Sequence, residues 1–195
     1  MKIDLIGKKA IVAGGSRGIG RAIALAFADC GAHVSICARG AEALAAARAD
    51  IAAKGVTAHA APCDLADGEA VARYFADAVE ALNGVDILVN NASGFGSSND
   101  ETGWEKSIAI DLLATVRAIR AVRPLMEAQG SGSIINISSI SGLRASARTP
   151  PYGAVKAAVI QYTLSEAAAL ARKGIRVKLH RTGLDRISRR KLGKA

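Results

Sequence analysis

Tyr152 and Lys156 stand four residues apart at the start of an expected helix over 152–172, a spacing that puts both side chains on one face. An ammonium beside a phenol favours the phenolate, and such a phenol can take up and return a proton near neutral pH. Tyr-x-x-x-Lys also describes an ordinary surface pair on a helix, so its weight comes from what stands near it. Ser138 and Ser139 close the fifth expected strand, at the carboxyl edge where open α/β sheets bind ligands. The stretch from Ser139 to Tyr152 is one loop long, enough to return to that edge. A hydroxyl there can hold a carbonyl oxygen while Tyr152 supplies or removes the proton.

A second cluster lies near the N-terminus. Gly14-Gly15-Ser16-Arg17-Gly18-Ile19-Gly20 follows the first expected strand and opens a helix. Glycines let the backbone turn tightly and approach a pyrophosphate, and the helix start offers free N–H groups with partial positive charge. The spacing is G-x-x-x-G-x-G, a variant of the G-x-G-x-x-G dinucleotide motif, and its place in a βαβ unit points to a nucleotide. An NAD-selective site would put an acid at the end of the second strand to hold the ribose 2′-hydroxyl. Here that stretch reads Ile36-Cys37-Ala38-Arg39. Arg39, with Arg17 from the glycine loop, suits a 2′-phosphate through charge-assisted hydrogen bonds, so NADP is expected over NAD, with NAD possible. The plain alternative is that both arginines are solvated surface groups.

The elements that must position these groups alternate. Short β-branched runs are expected as strands over 9–13, 33–38, 57–62, 86–90, 133–138 and 175–179, and Ala-rich amphipathic stretches as helices over 19–29, 41–54, 69–82, 111–129 and 152–172. Gly55 and Gly174 suit helix C-termini. Runs such as Ile87-Leu88-Val89 fit a sheet covered on both faces. Residues 93–103, rich in Gly, Ser, Asn and Asp, read as a long polar loop. Right-handed crossovers then favour a doubly wound parallel sheet.

At this point the sequence resembles the short-chain dehydrogenase/reductase family over about residues 4–177. The motifs, in order, are Gly14-x-x-x-Gly18-x-Gly20, Asp64-Leu65 after the third strand, Asn90-Asn91-Ala92 after the fourth, Ser139, and Tyr152-x-x-x-Lys156. The wording of residues 14–20 and 134–142 looks most like the 3-oxoacyl carrier-protein reductase and sugar dehydrogenase branch. The resemblance implies a Rossmann-type fold, a nicotinamide cofactor and ketone/secondary-alcohol interconversion. It also implies roles: Tyr152 as acid/base, Lys156 favouring the phenolate and holding the nicotinamide ribose, and Ser139 orienting substrate. Gly14, Ser16, Gly18, Ile19 and Gly20 would cradle the pyrophosphate, Asp64 and Leu65 would meet the adenine, and Asn91, Ala92 and Ser93 would line the cofactor. A homo-oligomer, dimer or tetramer, is expected, with Arg117, Arg120 and Arg123 on a helix face that is solvated or borders the interface.

Three positions depart from the family. Ala13 stands where Thr is usual, and Ser93 where Gly closes Asn-Asn-Ala-Gly; both stay small. Asp111 occupies the place of an Asn that holds a water against the lysine in a proton relay, and it brings a negative charge toward Lys156. Asp111 is therefore counted with the catalytic group.

The largest departure is at the end. The chain of 195 residues is half apolar with net charge +9, one globular domain's worth of core, and neither disordered nor bilayer-spanning in composition. Its charge is unevenly placed. Residues 172–195 hold ten Lys and Arg and one acid, Asp185, while the preceding 171 residues are balanced. The family's Asn-x-x-x-Pro-Gly, substrate-covering segment and seventh strand are not found after 177, so the chain divides into a dinucleotide-binding domain over 1–177 and an atypical basic tail over 178–195. One choice of codons for residues 178–190, read with a single A deleted, gives Asn-Cys-Ile-Ala-Pro-Gly-Ser-Ile-Glu-Phe-Pro-Gly-Gly, so a one-base insertion near codon 178 explains the change. A chain so shortened is either an active oxidoreductase or a cofactor-binding protein with impaired catalysis. The basic tail lacks aromatic interleaving or a recognisable module, which argues against nucleic acid. The charged N-terminus and the scattered Cys30, Cys37 and Cys63 point to the cytoplasm. His33, His59 and His180 have no ligand partners in metal spacing, and Trp104 reads as a packing anchor.

Overall fold

Alternate residues of the central strands feed two separate cores. In β1 (Lys9–Ala13) Ile11 and Ala13 face one side and Ala10 and Val12 the other, and in β4 (Ile87–Asn90) Leu88 opposes Ile87 and Val89 in the same way. A strand buried on both faces has no polar side to show, so its sequence is a continuous apolar run. The computed structural model describes residues 3–183.

The sheet adds β2 (His33–Ala38), β3 (Ala58–Pro62), β5 (Gly132–Ser139) and β6 (Ile175–Thr182). All pairings are parallel, in the order β3-β2-β1-β4-β5-β6. This is the expected doubly wound Rossmann-type α/β sheet of six strands. The connections run in opposite directions from β1 and β4, and a crevice opens between them at the carboxyl edge. One face carries α1 (Gly18–Asp29) and α2 (Ala41–Ala52), with Leu44 and Ile51 in the core beside Ile36. The other carries α3 (Gly68–Leu82) and α5 (Ala114–Gln129), which bury Tyr74, Phe75, Ile119 and Met126. The last helix, α6 (Pro150–Leu170), leads into β6.

Local chemistry sets the ends. Asp67 caps α3 by accepting the Glu69 N–H at 2.8 Å. Gly55 and Gly174, the expected stops, both adopt left-handed backbone, at φ +78° and +73°.

Two stretches differ from the sequence expectation. The polar loop over 93–103 is cut short by α4 (Glu101–Lys106), whose cap Asp100 accepts the Gly103 N–H at 2.8 Å. A π-helical segment, Ser107–Leu113, then joins it to α5, so helix begins ten residues before the expected start at 111. The signal was the Asp-Glu pair at 100–101, an N-cap with an acid in the first turn, masked by the Gly and Ser around it. Second, β6 continues past Leu179 to Thr182, paired with β5 up to Ser139 opposite Thr182, so residues 178–182 belong to the sheet. Most of the altered tail, residues 184–195, and with it most of the reading-frame expectation, lies outside the described residues.

Candidate active site

The glycine loop is shaped by what a side chain would strike. Gly14 has φ +81°, and a Cβ there would lie 2.9 Å from the Ala92 Cα; at Gly20 a Cβ would lie 2.0 Å from the Gly14 carbonyl oxygen. The Asn91 amide Nδ2 donates to that same oxygen at 3.0 Å, fastening the end of β4 to the loop. Only a chain without side chains at these points can bring β1, β4 and the start of α1 so close. Helix α1 begins at Gly18 after Arg17, which makes no capping bond to it, so its first N–H groups are not satisfied by a cap side chain.

In front of this loop lies a cleft of about 570 Å³. Gly14, Ser16 and Arg17 line it from the glycine loop, Arg39 stands at the end of β2, Asp64 and Leu65 follow β3, and Asn91, Ala92 and Ser93 follow β4. The carboxyl ends of four strand units therefore bring these nine expected residues to one cavity. Gly18, Ile19 and Gly20 form the first turn of α1 behind it and are not part of its lining. Arg17, Arg39 and Asp64 are exposed, and Asp64 Oδ1 accepts the Ala66 N–H at 3.0 Å. Residues not anticipated from sequence also line the cleft, among them Gly40, Ala43, Cys63 and Ile110. The neighbouring thiols act on each other: Cys37 lowers the pKa of Cys63, while Cys63, together with burial, raises that of Cys37.

The second group of residues meets beyond the end of β5. Lys156, on α6, is 4% exposed, and its Nζ donates to the Ile137 carbonyl at 3.0 Å. Its charge is balanced by Asp111 of the π-helical segment, with Oδ1 at 3.0 Å from Nζ; this is an ion pair without hydrogen-bond alignment. The other oxygen, Oδ2, accepts the Gly94 N–H at 2.9 Å. Nζ also lies 5.5 Å from the centre of the half-buried Tyr152 ring. Tyr152, Lys156 and Asp111 are thus assembled from two distant helices.

The two serines divide their work. Ser138 is buried and donates to the Lys156 carbonyl at 2.9 Å, pinning α6 to β5. Ser139 ends β5, and its Oγ accepts the Ser141 N–H at 3.2 Å. Behind them, Asn90 donates to Asn136 at 2.9 Å and Asn136 to Thr163 at 2.9 Å, a buried chain that ties β4, β5 and α6 together. The Asn136–Thr163 link was not legible beforehand, because neither residue belongs to a local motif. Phe95 was also missed; its ring meets Tyr152 edge to face, with centres 5.0 Å apart. A lone phenylalanine in a Gly/Ser-rich loop was the available signal.

Other expectations fall outside this region. Trp104 is 37% exposed and donates to Asn99. Arg117 donates to the Ala66 carbonyl, and Arg123 pairs with Glu127 at 2.8 Å. Among the described residues no group of three or more His, Cys, Asp or Glu side chains could hold a metal, and no helix is long and apolar enough to cross a membrane.

A doubly wound sheet with a glycine-built cleft at its switch point defines a dinucleotide-binding α/β protein. Comparison with known proteins makes this specific. A profile of the short chain dehydrogenase family matches residues 8–185. The chain is 35% identical over 185 residues to dehydrogenase/reductase SDR family member 4 of Mus musculus, covering 92% of this chain and 66% of that protein. It is 39% identical over 176 residues to the 3-oxoacyl-[acyl-carrier-protein] reductase FabG of Staphylococcus epidermidis, covering 87% and 72%. Among solved structures, a metagenomic short-chain oxidoreductase in complex with NADP superposes with a TM-score of 0.86 at 37% identity, covering 92% of this chain and 83% of that one. The chain belongs to the short-chain dehydrogenase/reductase family of oxidoreductases.

Proposed function

We propose that this chain is an NADP(H)-dependent oxidoreductase that interconverts a ketone and a secondary alcohol. The observation that carries the reading is the buried Lys156 ammonium, paired with Asp111 at 3.0 Å and 5.5 Å from the Tyr152 ring centre, on the sheet edge that also holds the glycine cleft.

The cleft fits the cofactor. Its volume is of the size that holds a cofactor or drug-sized ligand, α1 presents N–H groups without a side-chain cap, and the missing Cβ atoms of Gly14 and Gly20 let β1, β4 and α1 close up around it. The α1 start would bind the pyrophosphate, Asp64 and Leu65 the adenine end, and Asn91, Ala92 and Ser93 the inner wall. Arg17 and Arg39 are exposed at the ribose end, with no acid between 36 and 39, and would hold a 2′-phosphate. The nicotinamide, when bound, supplies or accepts the hydride.

The chain's own residues move the proton. Tyr152 donates a proton to the carbonyl oxygen during reduction and takes it back during oxidation. Lys156 keeps positive charge close to the phenol, so the phenolate left after donation is stabilised where it forms. Burial of that charge is compensated by Asp111 and the Ile137 carbonyl. Ser139 orients the substrate oxygen. In the same reading the protein works as a homo-oligomer, supported by exposed Leu125 and Leu164 on α5 and α6, and in a reducing compartment such as the cytoplasm, supported by its three free cysteines.

Fluorescence titration with NADPH and NADH tests the cofactor: tighter binding of NADPH is expected, and tighter NADH overturns the role given to Arg17 and Arg39. A ketone panel followed by NADPH oxidation tests the chemistry. Tyr152→Phe is expected to lower kcat by about 10²–10⁴-fold with cofactor affinity unchanged. A parent protein that binds NADPH but reduces no ketone would instead support the impaired-catalysis reading.

A further inference from the structure

Phe95 has no part in the motifs or in the proton transfer, yet the structure holds it in an unusual way. Its backbone φ is +43°, a left-handed conformation that bulky side chains rarely adopt. Three contacts impose it. The Gly94 N–H is held by Asp111 Oδ2 at 2.9 Å, and the Phe95 N–H donates to Ser93 Oγ at 3.1 Å. Gly94 itself is wedged so tightly that a Cβ would lie 2.9 Å from the Lys106 carbonyl oxygen and 3.1 Å from Ile110 Cδ1.

The result is a ring set edge to face against Tyr152, with centres 5.0 Å apart and planes at 63°, while Phe95 remains 58% exposed. A phenylalanine serving the core would be buried. This one touches the phenol and leaves the rest of its surface open, in a loop fixed by the same carboxylate that pairs with Lys156. The aromatic surface is therefore held in register with the group proposed to move the proton.

We propose that Phe95 is a specificity-determining residue whose ring forms an apolar wall of the carbonyl site, favouring ketones and secondary alcohols that carry an aryl or bulky alkyl group beside the reacting carbon over polyhydroxylated ones. An apolar substituent laid on the ring removes hydrophobic surface from water on both partners. A row of hydroxyls laid there loses water partners and gains none. The inference rests on the oxidoreductase reading above.

The test uses the parent chain, Phe95→Ala and Phe95→Leu, first checked for equal melting temperatures. Binding of 1-phenylethanol and of dihydroxyacetone is measured by saturation-transfer NMR and calorimetry, with and without NADP⁺, alongside kcat/KM for acetophenone and dihydroxyacetone with NADPH. Phe95→Ala is expected to weaken 1-phenylethanol binding about tenfold and to lower kcat/KM for acetophenone by a similar factor, mainly through KM. Dihydroxyacetone and cofactor affinity should not move, and Phe95→Leu should keep most of the aryl preference. The assignment is overturned if the parent binds 1-phenylethanol no better than dihydroxyacetone, or if Phe95→Ala loses both compounds alike, as a purely structural loop residue would. Binding of 1-phenylethanol that depends on Phe95 without turnover of any ketone would refute the oxidoreductase reading and leave the aryl wall standing.

Discussion

The glycine cleft and the Tyr152 corner are built from different materials. The cleft is made of backbone: Gly14 and Gly20 let β1, β4 and α1 close together, α1 starts without a side-chain cap, and the charged Arg17, Arg39 and Asp64 lining it are exposed. The corner is made of side chains removed from water: Asp111 is 1% and Lys156 4% exposed, each dependent on the other for charge balance. Bulk should therefore damage the first and loss of charge the second. Exposed charges at the cleft rim are cheap to keep, while a buried pair is costly to break.

The sharpest way to break the comparison is at Asp111. Asp111→Ala leaves the Lys156 ammonium buried without its partner and frees the Gly94 N–H, and stability is expected to fall by about 3–5 kcal/mol in urea denaturation. Asp111→Asn keeps an acceptor for Gly94 and should cost less, but its rate–pH profile should differ from the parent's; a profile identical throughout would remove Asp111 from the catalytic group.

A smaller loss, of about 1–3 kcal/mol, is expected for Gly20→Ala, whose Cβ would collide with the Gly14 carbonyl oxygen. Its signature is weakened NADPH binding while the arrangement around Lys156 persists. Equal damage to both regions would show that they are not separable.

The smallest effect belongs to a control outside both regions. Burial holds the His59 imidazole below its usual pKa of 6.5, and Ser35 Oγ lies 2.9 Å from its Nδ1. The native state prefers the neutral ring while the unfolded chain takes the proton at the ordinary value. This stabilisation is complete above pH 6.5 and is lost as pH falls through the lowered native value. The parent's melting temperature should drop more from pH 7 to pH 5 than that of His59→Gln, with cofactor binding and turnover at pH 7 alike.

The same division of materials explains what could be read in advance. Gly14, Gly18 and Gly20 sit within one short loop, the end of the second strand put Arg39 beside it, and the family resemblance put Asp64 and Asn91 there; Gly14, Arg39, Asp64 and Asn91 meet at one cavity, with Gly18 and Gly20 behind it. The six strands were likewise legible, because β-branched runs bounded by turn residues recur at regular spacing. The corner was only partly so. Tyr152 and Lys156 share a helix face, and the family resemblance turned Asp111 toward Lys156, but nothing local states that a π-helical segment would carry it there, or that Gly94 would be held by the same carboxylate. Phe95 was hidden for the same reason: its importance comes from the ring it meets, 57 positions away. Helix α4 was missed because Gly and Ser around Asp100 outweigh the cap in any local reading, and tertiary packing overrides that propensity.

The ion pair also has a place in time. Asp111 links to a loop 17 residues upstream, and Lys156 to a strand 19 residues upstream, and the two must then find each other across the intervening α5 and β5. Each closure gives up chain entropy before it returns any contact, and at these separations that cost is modest. The glycine loop, by contrast, is fastened to Asn91 across 77 residues, a longer closure. A refolding chain observed through two probes, nucleotide capture and protection of the Gly94 amide from hydrogen exchange, should acquire the second before the first.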